Sequence, residues 1–170
     1  MFKSKKLFQK GNSSVKTIST VIFDVDGVMT DGGLFVLPDG EHMRQFNVKD
    51  GWGIRALLNE GFNVAVISAG AGEGMKKRLE YLGIPDIHLG AKNKLTVFTD
   101  YCKKKKIDPS SVAYMGDDYP DLSVLKEVGL ACCPADAVEE VQEICHFIAK
   151  KGGGKGAVRE IAKYIIQAKK

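Results

Sequence analysis

Short β-rich runs that are apolar on both faces recur along this chain from residue 18 onward, each followed by a longer run of helical pattern. "STVIFDVD", "NVAVIS", "SVAYMGDD" and "LACCP" are the clearest. A strand with no polar face belongs in the interior of a sheet covered on both sides, and such strands joined through helices run parallel. The expected fold is therefore α/β, a Rossmann-like three-layer sandwich around a central parallel sheet. The intervening helices are expected at "GWGIRALLNEG", ended by Gly61, at "EGMKKRLEYLG", ended by Gly83, and at "KNKLTVFTDYCKKKK". Three more are expected: "PDLSVLKEVG", with Pro120 in its first turn, one near 136–144, and a last one from about 156 to 168. "DIHLG" and "HFIAK" are short runs beside them.

One segment departs from this rhythm. Residues 33–46, "GLFVLPDGEHMRQF", are two β-like runs around a "PDG" turn signal, and they predict a hairpin inserted straight after the first strand. A chain of 170 residues, 44% hydrophobic, makes one domain over 17–170 with a sizeable core and no large cap. Residues 1–16 read as a polar leader, expected to be partly disordered.

The net charge of +4 is mild. The lysine run 103–106 ends a helical pattern, where cations suit the helix dipole. No aromatic residues interleave the lysines, so no nucleic-acid partner is expected. Cys102, Cys132, Cys133 and Cys145 show no C-x-x-C spacing and read as free thiols, which suits the cytoplasm. No apolar run has the length of a membrane span, and the N-terminus lacks the apolar core of a signal peptide.

Ligands of an open α/β sheet sit at the carboxyl ends of its strands. Asp24 and Asp26 stand there after the first strand, Ser68 after the second, and Asp117, Asp118 and Asp121 after "SVAYMG". Crowded carboxylates repel one another unless a cation lies among them, and hard oxygen ligands point to Mg2+ rather than zinc. Magnesium in turn suggests phosphate chemistry. The D-x-D spacing puts residues i and i+2 of an extended chain on the same side. Lys94 opens a helix, where its charge opposes the dipole, and this marks it as a functional cation.

Taken in order, "DVDGVMT", "VIS" with Ser68, Lys94 and "GDDYPD" resemble the four motifs of the haloacid dehalogenase (HAD) superfamily of phosphotransferases. The resemblance implies that Asp24 is a nucleophile forming an aspartyl-phosphate. It implies that Asp26 protonates the leaving alkoxide and later activates water. Magnesium would be held by Asp24, the Asp26 backbone carbonyl and Asp117, with either Asp118 or Asp121 orienting the metal shell. Ser68 would hold phosphate oxygens, and Lys94 would neutralise charge on the phosphoryl group.

"DVDGVMTDGG", "FNVKDGWGIRAL", "YMGDD" and "KGGGKGAVREI" further resemble the capless branch that contains 3-deoxy-D-manno-octulosonate 8-phosphate (Kdo-8-phosphate) phosphatase, an enzyme of lipopolysaccharide precursor synthesis. This resemblance implies a sugar-acid phosphate as substrate, contacted by Asn47, Val48, Lys49, Asp50 and Gly51 together with Arg55, Arg78 and Lys155. It also implies a homotetramer whose hairpins assemble, a neighbouring subunit closing each active site. The second motif departs from the pattern: "SAGAGEG" has Gly70 where relatives often carry a charge, which leaves open a nine-carbon keto-acid 9-phosphate of sialic-acid type. A non-catalytic tetrameric domain associated with a sugar-nucleotide synthase is a rival, but retention of Asp24, Asp26, Lys94 and Asp117 together argues against it. A mutase would need a cap to exclude water. A receiver-type regulatory domain would lack the second acid at Asp26.

Overall fold

The computed structural model describes residues 15–170. Its strands are β1 (Thr20–Phe23), β2 (Phe35–Val36), β3 (His42–Met43), β4 (Asn63–Ile67), β5 (Asp86–His88), β6 (Val112–Met115), β7 (Leu130–Cys133) and β8 (Phe147–Ile148). The α-helices are α1 (Val48–Asn59), α2 (Glu73–Tyr81), α3 (Lys94–Lys105), α4 (Leu122–Leu125), α5 (Glu139–Ile144) and α6 (Ala157–Ala168).

Among the described residues, six strands form one parallel sheet in the order β5-β4-β1-β6-β7-β8. Alternation along the central strands explains why the runs are apolar throughout. Val21, Phe23, Val64, Val66, Ala113 and Met115 point into one core, beneath α1, α2 and α6. Ile22, Ala65, Ile67, Val112 and Tyr114 point into the other, beneath α3, α4 and α5. Successive residues of the central strands thus face opposite cores, which is why these runs are largely apolar, and the result is three layers.

Three boundaries differ from the sequence reading. The first helix begins at Val48, three residues earlier, because the Asn47 side chain accepts from the Lys49 N–H at 2.8 Å and caps it. "PDLSVLKEVG" is not one helix but a 3-10 turn, Tyr119–Asp121, followed by the four-residue α4. There the Asp121 carboxylate turns back onto the N–H groups of Asp117 and Asp118, which tightens the turn. Val15, counted in the polar leader, is 1% exposed and packs in the first core, since an apolar side chain gains by burial there. Residues 1–14 of that leader lie outside the described residues.

The inserted hairpin is small. Phe35 pairs with Met43 and Val36 with His42, antiparallel, and that is the whole ladder. No helix among the described residues is long and apolar enough to cross a membrane.

Candidate active site

Parallel register brings the acids together. Phe23 pairs with Val66 on one side and with Met115 on the other, so Asp24, Ser68 and Asp117 all emerge just past the same ends of three adjacent strands. The chain runs from β1 to β4 and β5, then crosses back to β6 on the other side of β1. The direction of winding reverses there, which opens a crevice at the strand ends.

Asp24 is 6% exposed. Its Oδ1 accepts from the Val25 N–H, and its Oδ2 accepts from Lys94 Nζ at 2.6 Å. Lys94 also donates to Asp121 Oδ1 at 2.7 Å, and Tyr114 Oη donates to that same oxygen at 2.6 Å. The ammonium therefore bridges two buried carboxylates. Lys94 can open α3 against the helix dipole because Asn93 caps the helix and these carboxylates surround the charge. Burial acts to lower the Lys94 ammonium, but the two neighbouring charges and their hydrogen bonds outweigh it and raise it.

The carboxylates respond in the opposite sense. Burial, then the Asp121 charge, pushes Asp24 up to about 6, with Lys94 pulling it back. Burial, then the charges of Asp24 and Asp121, pushes Asp117 up to about 8. Such a cluster is costly by itself and gains by taking a cation. Carboxylate oxygens of Asp24, Asp117 and Asp121 lie within 4.8 Å of one another. Asp117 Oδ1 is buried and has no hydrogen-bond partner. The positive φ of Gly27 keeps its backbone against the Asp117 carboxylate, where any β-carbon would collide. Hard oxygens, an orphaned buried acceptor and a close-fitting cradle suit a divalent ion such as magnesium.

Of the two acids left open by the sequence, Asp121 is in the site. Asp118 points to the Tyr119 N–H and caps the 3-10 turn instead. Ser68 is 1% exposed, and its Oγ accepts from the Gly70 N–H at 3.3 Å.

The expected sugar contacts divide. Asn47, Val48, Lys49 and Lys155 line one cavity of about 300 Å³, together with Asp31 and Phe46. Lys155 Nζ lies 3.0 Å from Asp31 Oδ2, in an exposed ion pair. Arg55 and Arg78 lie apart from that cavity, both over the Tyr81 ring, and Arg78 packs against Gly51. Asp50 is not free to meet a sugar. It is 1% exposed, and its oxygens accept from the N–H groups of Gly156 and Arg159, so it caps α6 from α1.

Three residues of the site were not foreseen. Tyr114 supports Asp121, and strand alternation could have placed it facing α3. Thr30, fully buried, accepts from the N–H groups of Gly27 and Gly32 at 3.3 Å each, holding the turn that carries Asp26. Arg44 grips Asp26 with both ends of its guanidinium: Nε to Oδ1 at 2.6 Å and Nη2 to Oδ2 at 3.1 Å. Nothing in the local pattern points to that contact, because it depends on the hairpin folding back.

The fold and the acid–lysine cluster define a class, and comparison with known proteins agrees. The profile of haloacid dehalogenase-like hydrolases matches residues 52–161, and the chain belongs to that family and is a phosphatase of it. More particularly, it is 37% identical over 156 residues to the 3-deoxy-D-manno-octulosonate 8-phosphate phosphatase KdsC of Escherichia coli K12, which spans 92% of this chain and 83% of the relative. The crystal structure of the phosphatase of that name from Yersinia pestis superposes with a TM-score of 0.90 at 35% identity, covering 93% of this chain and 85% of that one. That from Moraxella catarrhalis, in complex with magnesium, phosphate and KDO, superposes with a TM-score of 0.89 at 34% identity, covering 92% and 90%.

Proposed function

We propose that the chain hydrolyses 3-deoxy-D-manno-octulosonate 8-phosphate through a phosphorylated Asp24. The observation that carries the chemistry is the Lys94 ammonium between Asp24 and Asp121, with Asp26 two residues beyond the nucleophile. The Asp24 carboxylate attacks phosphorus, and the bond from phosphorus to the sugar oxygen breaks with its electron pair on oxygen. Asp26 gives that oxygen its proton. Asp26 then takes a proton from water, whose oxygen attacks the phosphorus and releases phosphate from Asp24. Ser68 and the N–H groups after it orient the phosphoryl oxygens, and Lys94 neutralises charge on them. Asp24, Asp117 and the Asp26 carbonyl would hold magnesium, with Asp121 as the orienting acid. Bound there, the ion would shield the carboxylates from the incoming dianion.

The sugar assignment leans on the relatives of that name and on the cations Lys49 and Lys155 at the neighbouring cavity, which suit a substrate carrying a carboxylate besides its phosphate. One observation favours a second reading. Gly70 supplies no side chain at the second motif, which is compatible with a nine-carbon keto-acid 9-phosphate. The assembly proposed is a homotetramer joined through its hairpins, whose apolar Phe35 and Val36 are 66% and 68% exposed. Four free cysteines fit a reducing cytoplasm.

The test is phosphate release with magnesium from Kdo-8-phosphate, two nine-carbon keto-acid 9-phosphates and plain hexose phosphates, with Asp24→Asn as the blank. A strong preference for Kdo-8-phosphate supports the first reading, and a preference for a nine-carbon acid replaces it with the second. Full turnover by Asp24→Asn would remove the nucleophile assignment.

A further inference from the structure

Arg44 lies on the hairpin side of the site, next to residues that are largely open to solvent, such as Met43 at 52% exposure. Its own side chain is only 5% exposed. It leaves the hairpin and meets Asp26, 18 residues back in the sequence, through two parallel contacts, and its Nη1 reaches the His42 carbonyl at 3.4 Å. A guanidinium fork of this kind sets the plane of a carboxylate as well as its position, which a lysine ammonium cannot do.

The loop after β4 is shaped to admit this fork. A β-carbon at Gly70 would stand 2.5 Å from Asp26 Oδ2 and 3.1 Å from Arg44 Nη2. One at Gly72 would stand 4.0 Å from Arg44 Nη1. The side chain missing from the second motif thus leaves the room that Arg44 and Asp26 occupy. The turn around Asp26 is itself held at its base by Thr30, so the one loose element is the Asp26 carboxyl, and Arg44 clamps it.

We infer that Arg44 is the positioning residue for Asp26, delivered from the hairpin and accommodated by Gly70. The inference rests on the reading of Asp26 as the group that protonates the leaving oxygen. Proton transfer depends on the acid lying within hydrogen-bond reach of that oxygen, and a carboxyl free to swing loses much of the benefit.

The experiment compares kcat/KM for a sugar phosphate, whose alkoxide must be protonated as it leaves, with that for p-nitrophenyl phosphate, whose phenolate leaves without a proton. Arg44→Ala is expected to lose roughly 30-fold on the sugar phosphate, less than the roughly 10²–10⁴ that the general acid itself supplies, and no more than about 3-fold on p-nitrophenyl phosphate. Arg44→Lys keeps the charge without the fork and is expected to fall between Arg44→Ala and the parent. Gly70→Ala crowds the fork from the other side and is expected to lose more on the sugar phosphate than on p-nitrophenyl phosphate. Equal losses on both substrates, or none in either variant, would overturn the role. Asp26→Ala separates the two layers of the argument. If it is selective while Arg44→Ala and Gly70→Ala are not, Arg44 alone is ruled out. If Asp26→Ala falls equally on both substrates, the reading of Asp26 fails and the role of Arg44 fails with it.

Discussion

Lys94 Nζ stands 2.6 Å from Asp24 Oδ2, with the two side chains 3% and 8% exposed. A cation so placed both neutralises the surroundings of Asp24 and keeps two buried carboxylates from facing each other bare. Breaking such a pair from one side leaves uncompensated charge, at a cost of about 3–5 kcal/mol. Lys94→Met is therefore expected to lower the melting temperature by about 2–4 °C per kcal/mol lost. Phosphate release should fall about 100-fold or more. Thermal unfolding and steady-state assays check both, and an unchanged melting temperature would mean that Lys94 does not hold the acids together.

Asp117 is the clearest case of a group whose chemistry opposes stability. Asp24 and Asp117 hold their protons to about 6 and about 8, against 3.8 for an ordinary aspartate. Between 3.8 and those values the folded protein binds more protons than the unfolded chain, so metal-free stability falls as pH rises. The loss runs through pH 6 for Asp24 and through pH 8 for Asp117. Magnesium displaces the protons, so its affinity should climb over the same window. Asp117→Asn is expected to melt above the parent without metal at pH 8, by a smaller margin at pH 5, and to gain nothing from magnesium. Calorimetry with and without magnesium at the two pH values decides it; a variant that magnesium stabilises as fully as the parent would exclude Asp117 as a ligand.

Tyr114→Phe removes the hydroxyl that donates to Asp121 Oδ1 at 2.6 Å and leaves the ring in its buried place. Losing a hydrogen bond to a charged group in the interior costs about 1.5–3 kcal/mol. The variant should unfold earlier by that amount in denaturant titration and should turn over more slowly. Parent-like stability and rate would show that Asp121 does not depend on this donor.

Lys155 makes its ion pair with Asp31 at 61% side-chain exposure, where solvent screens the attraction and the pair adds little to stability. Lys155→Ala should therefore keep its melting temperature. It should raise KM for the sugar-acid phosphate more than for p-nitrophenyl phosphate. An equal rise in both would mean that Lys155 does not read the sugar.

The hairpin offers a test of assembly. Val36→Glu places a charge at an apolar position that is 68% exposed and outside both cores. The expected outcome is a smaller species by light scattering with an unchanged far-UV spectrum. A tetramer that survives the charge would place the subunit contacts elsewhere.

Much of this is legible in the sequence. Strand ends are marked by where apolar runs stop, and parallel strands align their ends, so Asp24, Ser68 and Asp117 could be gathered at one rim from the pattern alone. Lys94 was visible as a charge in the wrong place on a helix. The layers followed from strands with no polar face.

Other features depended on side chains meeting across the chain, which no local pattern carries. Asp118 and Asp121 share one acidic turn, and only its 3-10 geometry sends Asp121 inward to Lys94 and Tyr114 while Asp118 caps outward. Asp50 reads as a ligand group in "NVKDG", yet the last helix, more than a hundred residues on, takes both its oxygens. Arg44 lies in the hairpin segment without a local signal, and the fold-back of that hairpin gives it Asp26. The sequence by itself determined which groups could do chemistry and at which strand ends they stand, because periodicity and burial are local properties. Tertiary structure alone decided which acid faces the lysine and which arginine holds Asp26, because a hydrogen bond is set by distance in space and not by separation along the chain.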